Sequence, residues 1–194
     1  MKLLKKILLG FGITVLALLV LSFFLPSKFH FERYQVIGVS REVLFDQVNT
    51  TKNWEKWSPW HKIDPNMKLT YTGPSSGVGA GYSWTSQDPK VGNGNTTLMS
   101  VALGDSITTK MVFDGFDAAY ATYKFIPNDN GTKLVWSFDQ ELGSNPVSKI
   151  FAYFFLEKML APDYEKGLNN LNELAKTTLP TKVAPIQMSI SRTK

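Results

Sequence analysis

SITTKMVF (Ser106–Phe113), AYATYKFI (Ala119–Ile126) and KLVWSFDQE (Lys133–Glu141) are successive short runs in which apolar and polar residues alternate. A period of two sends alternate side chains to opposite faces of a strand. Met111 and Phe113, Tyr123 and Phe125, and Leu134, Trp136 and Phe138 hold one phase; Thr108 and Lys110, Thr122 and Lys124, and Lys133 and Ser137 hold the other. One face of the resulting sheet is apolar and aromatic, and the other meets water. Gly104-Asp105 and Asn128-Asp129-Asn130-Gly131 are hairpin-like connections, too short for a crossover between parallel strands. The sheet is therefore expected to be antiparallel.

Upstream, Met67–Tyr71, Gly81–Ser86 and Asn95–Leu103 extend the alternating pattern, with Tyr82 and Trp84 in the apolar phase and Ser83 and Thr85 in the polar one. Gly73-Pro74-Ser75-Ser76-Gly77 and the stretch from Asp88 to Gly94 are the turns between them. Residues 28–39 read as a first strand, and Ser40 is an N-cap for a short helix through Val48. Between this helix and the next strand, Trp54-Glu55-Lys56-Trp57-Ser58-Pro59-Trp60 places three indoles within seven residues. Two of them are expected to pack on the sheet and close one end of its concave face; the alternative is an exposed indole at a membrane interface. The last element is helical. Asn145 caps it, Pro146 suits its first turn, and Val147, Ile150, Phe151, Phe154 and Phe155, then Tyr164, Leu168, Leu171 and Leu174, recur at helical spacing. Pro162 is expected to kink or divide it. Phe151 to Leu160, apolar but too short to span a bilayer, is expected to be buried.

Near the other end of the chain, Ile7 to Leu25 (ILLGFGITVLALLVLSFFL) contains 19 residues and no charge. At about 1.5 Å per residue this helix is ~29 Å long, close to the ~30 Å hydrocarbon core of a bilayer. Lys2, Lys5 and Lys6 on its N-terminal flank favour a cytoplasmic N-terminus, residues 1–6, and an extracytoplasmic domain beyond Pro26. A cleaved signal peptide is the competing reading, but Ser22-Phe23-Phe24-Leu25-Pro26 is bulky, closed by proline and without the A-x-A-like pattern of a cleavage site. The expectation is a single-pass cell-membrane protein of bacterial type. There is no cysteine, hence neither a lipid-attachment cysteine nor a disulfide framework.

The net charge of +5 is misleading. Lys2, Lys5 and Lys6, with Lys176, Lys182, Arg192 and Lys194, account for seven of the 21 basic residues; the other 14 face 16 acidic residues between positions 28 and 175. A slightly acidic domain with inward-facing aromatics is not a nucleic-acid surface. Residues 28–176 form one domain, and 177–194 a tail expected to be flexible or a remnant of a second domain.

The element order is that of the α+β helix-grip fold, a curved antiparallel sheet wrapped around a long C-terminal helix, here preceded by one transmembrane helix. The Trp54–Trp60 segment followed by Asp64-Pro65, then Gly77-Val78-Gly79-Ala80-Gly81-Tyr82-Ser83-Trp84, Gly92-Asn93-Gly94 and Gly167-Leu168-Asn169-Asn170-Leu171, resembles the polyketide cyclase/dehydrase branch of the START-like (SRPBCC) superfamily. The resemblance covers residues 28–176 and implies lipid carriers, hormone binders or aromatase/cyclases, with no cofactor. It identifies the fold better than the chemistry.

The aromatic face implies a cavity for a hydrophobic small molecule or lipid, with Trp57, Trp60, Tyr82, Trp84, Met111, Phe113, Tyr123, Trp136 and Phe138 on the sheet side and Phe151, Phe155 and Met159 on the helix. The rival reading is that these rings simply fill a core, leaving an interaction or stress-response domain. Catalytic residues are sparse. Only His61 and Asp64, just past the tryptophans, are placed to pair as an acid/base couple for cyclase-like chemistry. His30 is a weaker candidate, and no set of metal ligands is present. Gly77, Gly79 and Gly81 join two strands and do not open a helix, so they shape backbone and bind no phosphate.

Overall fold

The computed structural model of the chain describes residues 2–177. The tail, from residue 178 on, lies outside the described residues. After the apolar helix α1 (Lys2–Phe24) come β1 (Lys28–Ile37) and α2 (Arg41–Asn49). A single 3-10 turn (Thr51–Asn53) leads into two short helices, α3 (Trp54–Trp57) and α4 (Pro59–Ile63). Six strands follow: β2 (Lys68–Thr72), β3 (Gly81–Thr85), β4 (Asn93–Ala102), β5 (Ser106–Phe113), β6 (Ala119–Asn128) and β7 (Gly131–Glu141). The described chain ends in α5 (Pro146–Phe151), a π-helical turn (Ala152–Leu156) and α6 (Glu157–Thr177).

All seven strands join one antiparallel sheet in the order β1-β7-β6-β5-β4-β3-β2. Only the pairing of the first strand with the last departs from simple hairpin succession. The long C-terminal helix packs across the concave side, which is the helix-grip architecture. Registers bring the aromatic phase into line, with Tyr123 opposite Trp136 and Phe31 opposite Phe138. Leu134, Trp136, Tyr123, Phe125 and Phe138 are buried together with Tyr164, Leu168 and Leu171 of α6. On the outer face, Val135 is also buried, because Tyr34 and Lys124 flank it across the register.

The helical end differs from expectation in two ways. Helical winding continues through Pro162, whose ring sits on the exposed side, and the irregularity lies earlier, at the π turn. Phe151 to Leu160 is not buried either: Phe151, Tyr153, Phe154, Phe155 and Met159 are all exposed, and only Ala152 is fully covered. The physical reason is phase. Tyr164, Leu168 and Leu171 set which side of α6 faces the sheet, and stepping back from Tyr164 by fours reaches Leu160, Leu156 and Ala152, not the phenylalanines.

Asn145 caps α5 as expected, its Oδ1 accepting from Val147 N at 2.9 Å and Ser148 N at 3.3 Å. Arg33, on the inner phase of β1, ties the sheet to α6: Nη2 donates to Glu157 at 2.9 Å and Nε to Glu165 at 3.1 Å. Helix α1 is long and apolar enough to cross a membrane, and almost none of its surface is covered by the rest of the protein.

Candidate functional site

The tryptophan segment anchors the site because its polar atoms are consumed locally. The last turn of α2 leaves carbonyls without helical partners, and two indoles take them: Trp54 Nε1 donates to Val48 O at 2.9 Å, and Trp57 Nε1 to Gln47 O at 3.1 Å. Asn170 of α6 holds the same segment from behind, donating from Nδ2 to Trp57 O at 2.8 Å. Ser58 then breaks the helical run, and Pro59 restarts it as the first residue of α4. This puts Trp60 edge-on to Trp136 and Tyr164, with ring centroids 6.1 and 6.4 Å away.

Beneath lies a stack of rings. Tyr123 and Trp136 are 5.1 Å apart at 25°, and Trp136 and Tyr164 4.1 Å apart at 30°. Between this floor and the strands β3, β4 and β5 is a cavity of about 40 Å³ lined by Trp54, Trp60, His61, Met67, Tyr82, Trp84, Val91, Thr96, Met111, Phe113, Tyr123 and Trp136. It is almost wholly apolar. The floor residues Trp54, Tyr82, Tyr123 and Trp136 are buried, whereas Trp60, Met67, Trp84, Met111 and Phe113 are only partly covered and form the rim.

Three of the residues that line the cavity also carry buried polar atoms without a partner. Both ring nitrogens of His61, Oγ1 of Thr96 and Nε1 of Trp136 are buried without a hydrogen-bond partner in the protein. Such groups are uncommon, because an unmet buried donor or acceptor costs about 1–3 kcal/mol. Burial also pushes the His61 imidazole below its ordinary pKa, with Glu55 opposing part of that shift. His61 is thus a neutral imidazole at neutral pH. Burial drives the Tyr82 and Tyr123 phenols far above their ordinary range, so both stay protonated.

Seven residues expected at the cavity line it: Trp60, Tyr82, Trp84, Met111, Phe113, Tyr123 and Trp136. Trp57 and Phe138 are buried just outside the lining, Trp57 against Trp54 and Trp136, and Phe138 against Phe29 and Phe31. Phe151, Phe155 and Met159 are exposed and away from it, for the reason of helical phase given above. The His61–Asp64 couple does not form. Asp64 accepts instead from Ser86 Oγ and from Asn66 N at 2.9 Å, a local turn closed by the neighbouring hairpin. His30 pairs with Asp139 at 2.6 Å on the outer side of the sheet. Sequence reading missed Trp54, Met67, Val91 and Thr96. Thr96 was within reach, since β4 sets it opposite both Tyr82 and Met111, and Met67 opens an alternating run; Val91 sits in a turn that no periodicity marks.

Gly77 and Gly79 both have positive φ, 82° and 87°, and shape the approach to β3. Among the described residues no cluster of three His, Asp or Glu side chains is close enough to hold a metal ion.

Solved structures with the same fold include a protein of unknown function from Staphylococcus aureus, with a TM-score of 0.57 and 11% identity, covering 77% of this chain and 94% of that one. A protein from Chromobacterium violaceum gives a TM-score of 0.53 at 14% identity, over 75% of this chain and 96% of that one. The Aha1 dimer from Colwellia psychrerythraea gives 0.55 at 9% identity, over 76% and 96%. At such identities the likeness concerns fold alone. No match was found among curated proteins. Residues 28–176 match the family described as polyketide cyclase / dehydrase and lipid transport.

Proposed function

Because this chain belongs to the polyketide cyclase / dehydrase and lipid transport family, we propose that it is a membrane-anchored START-like domain that takes a hydrophobic or amphipathic small molecule into its aromatic cavity, as a carrier or sensor. The observation that carries the reading is that three residues lining a largely apolar cavity, His61, Thr96 and Trp136, hold buried polar atoms without a partner in the protein. A ligand with an apolar body and one polar group satisfies that wall: the body meets the rings, and the polar group meets the Thr96 hydroxyl, the His61 imidazole or the Trp136 N–H. Each ~100 Å² of apolar area lost from water contributes about 2.5 kcal/mol.

Size sets a condition. At about 40 Å³ the cavity is far below the ~300–1,000 Å³ of a drug-sized ligand site. A ring or the end of an acyl chain enters only as the rim side chains turn outward. Met67 and Met111 suit this, being unbranched and adaptable. In this reading α1 crosses the bilayer with Lys2, Lys5 and Lys6 in the cytoplasm, and the domain works on the opposite side within reach of membrane lipid.

A cyclase-like enzyme is the second reading, and the neutral His61 at the cavity wall is what favours it. Against it stands the absence of an orienting partner, since Asp64 is engaged elsewhere.

Native mass spectrometry with lipid extraction on the full-length chain purified in detergent tests the proposal. The expected result is a stoichiometric apolar or amphipathic adduct, lost in a Met111→Glu variant whose thermal transition is retained. A ligand-free mass, with no uptake from an offered lipid mixture, overturns it in favour of a filled interaction domain. Conversion of a bound molecule by the full chain, abolished in His61→Gln, would favour the enzyme.

A further inference from the structure

The exposed rings of the C-terminal helical segment are unexplained by the cavity. Phe151, Tyr153, Phe154, Phe155 and Met159 are 44, 61, 40, 54 and 59% exposed, and three of them are consecutive. An amphipathic helix of a soluble domain turns such residues inward; here small Ala152 faces the core and the rings face out. At least two-fifths of each of these residues stays open to solvent.

Their position indicates what covers them. Helix α1 packs against α5, and its one buried residue, Ser22, lies near its C-terminal end. The link from α1 to the sheet is short, with Leu142 N donating to Ser27 O at 2.8 Å and Lys28 paired with Glu141 at 2.7 Å. Only a few residues then separate Glu141 from Pro146, where α5 begins. The exposed rings therefore lie beside the point where α1 leaves its apolar run at Phe23 and Phe24, themselves more than 80% exposed. Lys149 and Lys158 border the aromatic turn, and the acidic Glu157 between the turn and Lys158 is engaged by Arg33, so the turn joins rings to two basic residues, as segments lying in a headgroup layer do. The neighbouring groove at Arg33 is not a competing anion site, because Glu157 and Glu165 already engage that guanidinium.

We propose that α5 and the π turn form a second membrane contact, seating Phe151, Tyr153, Phe154 and Phe155 in the headgroup–acyl boundary of the bilayer that α1 crosses. The inference rests on reading α1 as a membrane helix. Two contacts, one spanning and one interfacial, fix the domain's tilt, whereas a single helix leaves it free to swivel.

The absence of cysteine makes the test direct. Single-cysteine variants Phe151→Cys, Phe154→Cys, Leu16→Cys and Lys124→Cys of the full chain are labelled with a nitroxide and reconstituted in vesicles of phosphatidylethanolamine and phosphatidylglycerol. Accessibility to oxygen and to a water-soluble nickel complex is then read by electron paramagnetic resonance. The oxygen-to-nickel ratio at positions 151 and 154 is expected to exceed that at 124 severalfold and to fall short of that at 16. Ratios at 151 and 154 equal to that at 124, with position 16 still in lipid, overturn the interfacial contact while leaving the anchor standing. An aqueous ratio at 16 overturns the anchor and the contact with it. Labels at 151 and 154 shielded from both reagents, in detergent as well as in vesicles, overturn the proposal in favour of a second copy of the chain.

Discussion

Thr96 and His61 are where individual side chains carry the functional argument. The Thr96 hydroxyl is buried on β4 with no partner, so Thr96→Val exchanges an unmet polar atom for a methyl of similar shape. The ligand-free protein is expected to gain about 1 kcal/mol, because the desolvation penalty disappears and valine suits a strand. If the hydroxyl meets the ligand, affinity falls by about 3–10-fold in the same variant. Urea unfolding beside ligand titration checks both, and a destabilised variant would show that the hydroxyl is already satisfied. For His61 the sign follows from burial. Its folded pKa lies below the ordinary ~6.5, so the unfolded chain binds the proton more readily. The resulting stability is complete above pH ~6.5 and is lost as pH falls through that value towards the lowered folded one. The urea midpoint of the full chain is expected to drop between about pH 7.5 and 5.5 by more than that of His61→Gln. Equal drops would mean that His61 is solvated. Neither residue's situation was legible beforehand: its type and position were readable, but a missing partner exists only once every neighbour is placed.

The close approach of α6 to the sheet depends on a position with no side chain. A Cβ on Gly167 would lie 2.6 Å from Cζ3 of Trp136 and 3.3 Å from Cδ of Pro59. Trp136 is held between Tyr123 and Tyr164, so yielding to the added methyl would disturb both stacks. Gly167→Ala is therefore expected to cost about 1–3 kcal/mol by overpacking, despite alanine's better helix propensity. By contrast, Glu165→Gln, which neutralises one of the two carboxylates beside a partly exposed Arg33, is expected to cost less than about 1 kcal/mol. Chemical denaturation of the two variants side by side checks the ranking, and a costlier Glu165→Gln would reverse the account of what holds α6. Strands were the legible elements, since period two ties each side chain to a face whatever the partner strand. The helical end was not. Aromatic weight pointed to Phe151, Phe155 and Met159 as the inward stripe, whereas the phase set at Tyr164, Leu168 and Leu171 leads back to Ala152.

At the scale of the molecule, the +5 charge divides between a basic N-terminal flank, a basic C-terminal stretch and a slightly acidic domain, so it is not a property of the folded domain. If α1 spans the bilayer, Leu16→Lys near its middle adds a penalty of about 2.5–3.5 kcal/mol on insertion scales. The full chain is expected to resist carbonate extraction from membranes and the variant to be released in larger part; equal release would remove the anchor. The seven-stranded antiparallel sheet, the order of elements and the single apolar helix were determined by the sequence itself, because hydrophobic periodicity, turn residues and run length act locally and need no knowledge of distant contacts. Which rings line a cavity of about 40 Å³, that His61 and Asp64 stay apart, and that four aromatic residues face outward beside the end of α1 were decided only by tertiary structure. These depend on helix phase and on competition for partners between segments far apart in the chain, as when Ser86 takes the carboxylate that His61 needed.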